Sequence, residues 1–141
     1  DTAAAGLGRG ASGGHWEATP EGTEAGMNTG GMDGEAGRAP GALGGEPNPT
    51  SRGYMIRDGQ QTKIRGRRIY QLQPGDTLLK ISGGGAGVGN PAERDPEKVR
   101  WDVINKFVSL ETAREIYKVA INPKTLEIDL EETRTLREQR A

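Results

Sequence analysis

Apolar positions are unevenly placed along this chain, and their rhythm changes twice. Residues 1–53 show no period of two or of 3.6, so no strand or helix is predicted there. From residue 54 the pattern becomes strand-like. Asp58-Gly59 separates short strands predicted around 54–57 and 62–65, the sequence signal of a two-residue hairpin. Ile69-Tyr70-Gln71-Leu72 runs into the turn Pro74-Gly75-Asp76 and then into Thr77-Leu78-Leu79-Lys80-Ile81, which predicts strand, turn and strand.

After residue 90 the period is helical. Asp95 is a good N-cap and Pro96 suits the first helical position, where its missing N–H costs nothing. Val99, Val103 and Phe107 lie at i, i+4 and i+8, and Trp101, Ile104 and Val108 widen them into a predicted buried stripe. Ser109 caps a second short helix with Glu111 in its first turn and Ala113, Ile116 and Tyr117 on its apolar side. Val119-Ala120-Ile121 and Leu126-Glu127-Ile128 flank a turn at Asn122-Pro123-Lys124. Asp129 with Glu132 three residues on is a capping-box signal that opens a last, charged helix.

The expected fold is α+β with low regular content, in three segments. Residues 1–53 form a Gly-rich extended segment packed on a partner chain, 54–89 hold the strands of a small barrel or sandwich and a Gly-rich turn, and 90–141 form a helical tail with one hairpin. The first segment holds 15 of the 23 glycines and four of the eight prolines. Such a composition reads by default as a disordered tail. Its glycines recur at three-residue spacing, however: Gly10 and Gly13, then Gly31, Gly34 and Gly37, then Gly41 and Gly44. That is the period of polyproline II, a conformation with no internal hydrogen bonds, so an ordered segment has to find backbone partners elsewhere.

Composition narrows the function. The chain has 141 residues with 32% hydrophobic content and one Phe, against 45–50% or so for ordinary globular chains. A large self-sufficient core is not expected. A net charge of −1 offers no global field to steer nucleic acid or a membrane surface. The absence of Cys excludes disulfides, thiolate metal sites and thiol nucleophiles, and fits a reducing, cytoplasmic setting. No apolar run approaches the ~20 residues of a membrane span. The first residue is Asp1 rather than Met, which leads to the expectation that an end has been removed.

The candidate chemistry centres on the loop of Gly83, Gly84, Gly85, Gly87 and Gly89. A phosphate-binding loop requires a Lys and a Ser or Thr after its last glycine, to neutralise phosphate and hold magnesium. Here Asn90-Pro91 follows. A dinucleotide fingerprint needs its glycines to lead straight into a helix, whereas Pro91 intervenes and the helix cap, Asp95, is itself negative. The glycines are therefore read as punctuation that lets the chain turn and pass close to another backbone. His15 is the only histidine; with Glu17, Glu21 or Asp33 it could ligate a metal, but a structural or interface role is the simpler reading. Arg65-Gly66-Arg67-Arg68 has no aromatic platform beside it, so an interface or a charged strand edge is favoured over RNA binding. No residue is assigned to catalysis, cofactor binding or metal binding. Gly83, Gly84, Gly85, Gly87, Gly89, Asp95, Trp101 and Phe107 are expected to serve turns and interfaces.

The order of features over residues 72–119 resembles the C-terminal end of the hydantoinase B/oxoprolinase family. The matching residues are Pro74-Gly75-Asp76, Gly83-Gly84-Gly85, Arg94-Asp95-Pro96, Val99, Asp102-Val103, Val108-Ser109, Ala113-Arg114 and Tyr117, with Pro123, Thr125 and Leu126 continuing the pattern. Val88 and Asn90 depart from it, standing where the family has an aromatic residue and Asp. The resemblance implies that the rest of a much longer body comes from another polypeptide, as in multi-subunit ATP-dependent ketone carboxylases of the acetophenone type. It implies hydantoinase A-like and hydantoinase B-like partner subunits, with ATP and a divalent metal bound by partners. The reaction implied joins a ketone and bicarbonate at the expense of ATP to give a β-keto acid. The alternatives are a subunit of an ATP-dependent hydantoinase or oxoprolinase that hydrolyses cyclic amides, and a stand-alone binding module with a disordered Gly-rich tail. The subunit readings expect Trp101, Ile104 and Phe107 to be left partly bare in the isolated chain.

Overall fold

The computed structural model describes residues 3–29 and 37–139. Gly31, Gly34 and Asp33, singled out above, lie outside the described residues. The chain divides into two compact units, one of residues 1–12, 39–48 and 84–141 and one of residues 13–38 and 49–83.

The second unit is built from strands. These are β1 (His15–Ala18), β2 (Ala25–Asn28), β3 (Arg52–Arg57), β4 (Gln60–Ile64), β5 (Ile69–Leu72) and β6 (Thr77–Ile81). β1, β6, β3 and β4 lie side by side in that order, and β2 pairs with β5 in a separate two-stranded sheet. All the pairings are antiparallel. The β3–β4 hairpin turns at Asp58 and Gly59, both at positive φ (50° and 73°). Its ladder closes directly at Arg57 and Gln60. That geometry is the one the Asp-Gly signal anticipates, because both turn residues need the left-handed region. Ile64, Leu72 and Leu78 are buried together, with Met27, Met55 and Tyr70 packed against them.

β5 and β6 fall where the sequence predicts them but do not pair with each other. β5 takes β2 as its neighbour, and β6 inserts between β1 and β3. The partners β1 and β2 come from the Gly-rich first segment, where no strand is expected from apolar periodicity. Their residues, HWEA and AGMN, carry too few apolar side chains to show a period of two, and it is the ladder that holds them. The polyproline II reading of this segment thus gives way, over β1 and β2, to sheet.

The first unit holds a 3₁₀ turn at Pro91–Glu93, α1 (Pro96–Ile104), α2 (Leu110–Glu115), β7 (Ala120–Ile121), β8 (Ile128–Asp129) and α3 (Leu130–Glu138). Each helix starts where its cap predicts. Asp95 accepts from the Glu97 amide, Ser109 from Thr112 and Asp129 from Glu132, at 2.9, 3.1 and 2.9 Å. The buried cluster consists of Val99, Val103, Val108, Ala113, Tyr117 and Val119, joined by Ala5 from the far end of the sequence.

α1 departs from the expected stripe. Its buried face is Val99, Asp102 and Val103, and it ends at Ile104. Lys106 adopts a positive φ of 61° just beyond it, so Phe107 is carried on a turn rather than on the helix. Trp101, Ile104 and Phe107 remain 56%, 45% and 37% exposed. The helical wheel is the reason: once Val99 and Val103 are buried, Trp101 falls on the opposite side and Ile104 well away from them, while two arginines pair with Asp102 on the buried face.

Candidate functional site

Within the first unit, three extended runs around residues 4–11, 41–46 and 85–89 are joined backbone to backbone. Gly8 and Val88 exchange both of their hydrogen bonds, at 2.8 and 3.0 Å. The Gly85 amide donates to Ala11 O, that of Gly87 to Glu46 O, and that of Gly89 to Ala42 O, at 2.9, 2.9 and 2.8 Å. Glu46 N in turn donates to Ala5 O at 2.8 Å. These runs therefore find backbone hydrogen-bond partners within this chain.

The approach is too close for side chains. A Cβ on Gly87 would overlap the carbonyl oxygen of Ala5, one on Gly45 that of Gly87, and one on Gly10 that of Gly85. Gly89 has a φ of +73° and faces the Leu7 side chain. In the second unit, a Cβ on Gly83 would overlap Pro49 O and one on Gly13 would overlap Ser82 O, while the Gly83 amide donates to Ser51 Oγ at 3.1 Å. Gly84, next in sequence, is half-buried.

This arrangement bears directly on phosphate chemistry. An anion cradle works by presenting unpaired amide N–H groups to the ligand. The amides of Gly83, Gly85, Gly87, Val88 and Gly89 already donate to protein oxygens. These five amides are not free to receive a phosphate. His15 Nε2 lies 3.3 Å from Glu17 Oε1, with both side chains more than half exposed, and among the described residues no three His, Asp or Glu side chains gather as metal ligands.

Asp102 organises the helical side. Its side chain is 1% exposed and takes Arg9 Nε on one oxygen (3.2 Å) and Arg94 Nη2 on the other (2.9 Å). Arg94 also donates to Leu7 O at 2.9 Å, and Arg9 to Gly10 O and Ser12 Oγ, each at 3.2 Å. The carboxylate thus ties α1 to residues 7–12 through both arginines. Arg137 of α3 donates to Arg94 O at 2.6 Å. Tyr117 is buried beside this cluster; burial pushes its phenol above the ordinary value of 10.0, against the pull of Arg94 and a backbone hydrogen bond with Gly6. Sequence reasoning noted Arg94 and Asp102 only as motif matches and gave Arg9 no part. The available signal was a lone carboxylate between Val99 and Val103 on an apolar helix face, which requires a buried cationic partner.

In the second unit the Pro74-Gly75-Asp76 turn is closed by the same chemistry. Asp76, 3% exposed, accepts from the Gln73 amide at 2.7 Å and from Arg57 Nη2 at 2.6 Å. The Arg57 hydrogen bond, with that of Gln73, holds the carboxyl below its ordinary value of 3.8.

The remaining concavity of note in the first unit, about 470 Å³, is lined by Arg114, Asn122, Glu127, Asp129 and Glu132 among others. Arg114 is bound to Glu132 at 2.7 Å, and Asp129 caps α3. The aromatic pair is the prominent surface feature. Trp101 and Phe107 lie with ring centroids 5.8 Å apart, and the Arg9 guanidinium sits 4.9 Å over the Phe107 ring.

Comparison with known proteins places these features in a class. No family model matches the chain. The chain is similar to the acetophenone carboxylase delta subunit of Aromatoleum aromaticum, at 34% identity over 55% of its residues. It is also similar to the beta subunit of a caprolactamase of Pseudomonas jessenii, at 34% identity over 46% of its residues. It spans 11% of the length of each of these relatives. Its fold matches the crystal structure of the ATP-dependent caprolactamase from Pseudomonas jessenii with a TM-score of 0.73 and 29% identity, over 95% of this chain and 24% of that one. A nucleotide-free acetone carboxylase structure shares the fold, with a TM-score of 0.77 at 19% identity, over 98% of this chain and 23% of that one. These relatives and structures match the resemblance to the hydantoinase B-like family read from residues 72–119. The chain is related to subunits of multi-subunit enzymes, of carboxylase and amide-hydrolysing kinds. Among the described residues no helix is long and apolar enough to cross a membrane.

Proposed function

We propose that this chain is a structural, non-catalytic subunit that completes the hydantoinase B-like part of an ATP-dependent ketone carboxylase of the acetophenone carboxylase type. The observation that carries the reading is the fold match: almost the whole chain corresponds to about a quarter of a longer, related polypeptide. The local chemistry supports it. The glycine loop uses its amides on its own backbone, Asp76 and Asp102 are both bound by arginine, and no metal-ligand cluster occurs among the described residues. In the assembly, ATP and a divalent metal belong to hydantoinase A-like partners, and the reaction is a ketone with bicarbonate and ATP giving a β-keto acid. A cytoplasmic setting suits a chain without cysteine.

A second reading keeps the assembly and changes the chemistry to ATP-dependent opening of a cyclic amide. It is favoured by the 29% identity to the caprolactamase. The purified complex decides between them when given ATP and either acetophenone with labelled bicarbonate or a hydantoin. Label fixed in a keto acid upholds the carboxylase reading. Ring opening without bicarbonate fixation replaces it with the second.

A further inference from the structure

α1 and α3 are both nine residues long, yet they are fastened by different means. α1 buries Val99, Asp102 and Val103, whereas the one buried residue of α3 is Thr133. No residue of α3 belongs to the apolar cluster around Tyr117 or to the half-buried apolar residues packed on it, and Leu130 is 72% exposed. Among the described residues three polar contacts hold this helix instead. Thr133 Oγ1 accepts from the Ala120 amide at 3.0 Å, Arg137 Nη2 donates to Arg94 O at 2.6 Å, and Arg114 donates to Glu132 at 2.7 Å.

The contact at Arg137 is incomplete. Burial pushes its guanidinium below the ordinary value, against the pull of Asp95. Its Nε is buried with no hydrogen-bond partner, and so is that of Arg94, the residue whose carbonyl it binds. A buried N–H without a partner forfeits the bond it makes in water. Docking α3 therefore leaves Arg137 Nε unsatisfied, and undocking returns that group to solvent. Little buried apolar area opposes the change, since the side chains that exclude water in this unit lie elsewhere.

We infer that α3 is a strap that opens as one piece while α1, α2 and the cluster around Tyr117 stay folded. The inference stands apart from the subunit reading, because it concerns only contacts within this unit. The hinge is the junction at Asp129, where β8 runs directly into the helix. α3 lies on β7 and β8, so opening bares Ala120, which is 3% exposed when the strap is closed. A nine-residue helix freed from its support is too short to persist in water, so its amides exchange whenever the strap opens.

The test is native-state amide hydrogen exchange on the full chain, comparing residues 134–138 of α3 with residues 100–104 of α1. The α3 amides are expected to be uniformly less protected, by at least about 100-fold, as in a locally opening unit. Thr133→Val, which removes the hydroxyl that holds the Ala120 amide, should lower α3 protection about 5-fold further, the worth of one hydrogen bond, and leave α1 unchanged. Equal protection of the two helices overturns the inference. Protection that climbs from residue 138 to the α1 level at residue 134 also overturns it, because that is fraying of a helix end. So does a Thr133→Val variant in which α1 and α3 lose protection together, which makes α3 part of a single cooperative unit.

Discussion

The glycine-paired runs and the helical tail of the same unit are held by opposite means. Around residues 85–89 the core is backbone against backbone, and contact is close because there is nothing to bury: a Cβ on Gly87 would meet the Ala5 carbonyl. In the tail, Val99, Val103, Ala113, Tyr117 and Val119 exclude water in the ordinary way. The difference teaches where such a protein can vary. Side-chain cores tolerate exchange of shape at roughly constant volume. A backbone core tolerates no added atom, since the neighbour in the way is a carbonyl that is itself hydrogen-bonded. A chain with 32% hydrophobic residues is ordered in this way without a large apolar interior, and Asp102 with its two arginines links one kind of core to the other.

The comparison can be broken most forcefully at Gly87. Gly87→Ala is expected to cost about 3 kcal/mol or more, the upper range for overpacking, and to abolish cooperative melting of this unit in a calorimetric scan. Gly37→Ala is the counterpart, because that glycine has open space around it. Its melting temperature should stay within the change of about 0.5 kcal/mol usual for surface sites. Equal effects at the two glycines would refute the idea of a backbone core.

Asp102→Ala comes next. It strands two largely buried guanidinium groups, and removing one partner of a buried ion pair costs about 3–5 kcal/mol; urea denaturation measures it. Loosening of residues 7–12 should accompany the loss, visible as faster amide exchange at Gly8 and Gly10. Tyr117→Phe is smaller, about 1 kcal/mol for one hydrogen bond. It should also remove part of the loss of stability above pH 10. There the unfolded phenol, with its ordinary value of 10.0, ionises before the folded one.

The gentlest test lies in the other unit. Asp76 has a folded value below 3.8, so its contribution is present above 3.8 and is lost as pH falls through the folded value. Melting temperatures of the wild type and Asp76→Asn should differ at pH 6 and converge toward pH 2. A constant difference across that range would mean that the carboxylate charge plays no part in the turn.

Much of the helical tail was legible because its signals are local. Asp95, Ser109 and Asp129 each cap a helix through their own side chains, and Asp58-Gly59 makes its own hairpin. What could not be read were partners distant in sequence. β1 and β2 carry almost no apolar pattern, and only their neighbours β6 and β5 make them strands. Trp101 and Ile104 widen the predicted stripe yet lie away from Val99 and Val103, half exposed as the subunit reading expects of the isolated chain; the pairing of Asp102 with Arg9, more than ninety residues upstream, had no local signal. At the glycines, spacing showed that close approach was needed without showing which carbonyls would be approached.

Native mass spectrometry of the chain purified gently from its source tests the central claim most directly. The account predicts that the chain travels in a species far heavier than 15.0 kDa, together with hydantoinase B-like and ATP-binding polypeptide. A free 15.0 kDa monomer, folded and without companions, would contradict it.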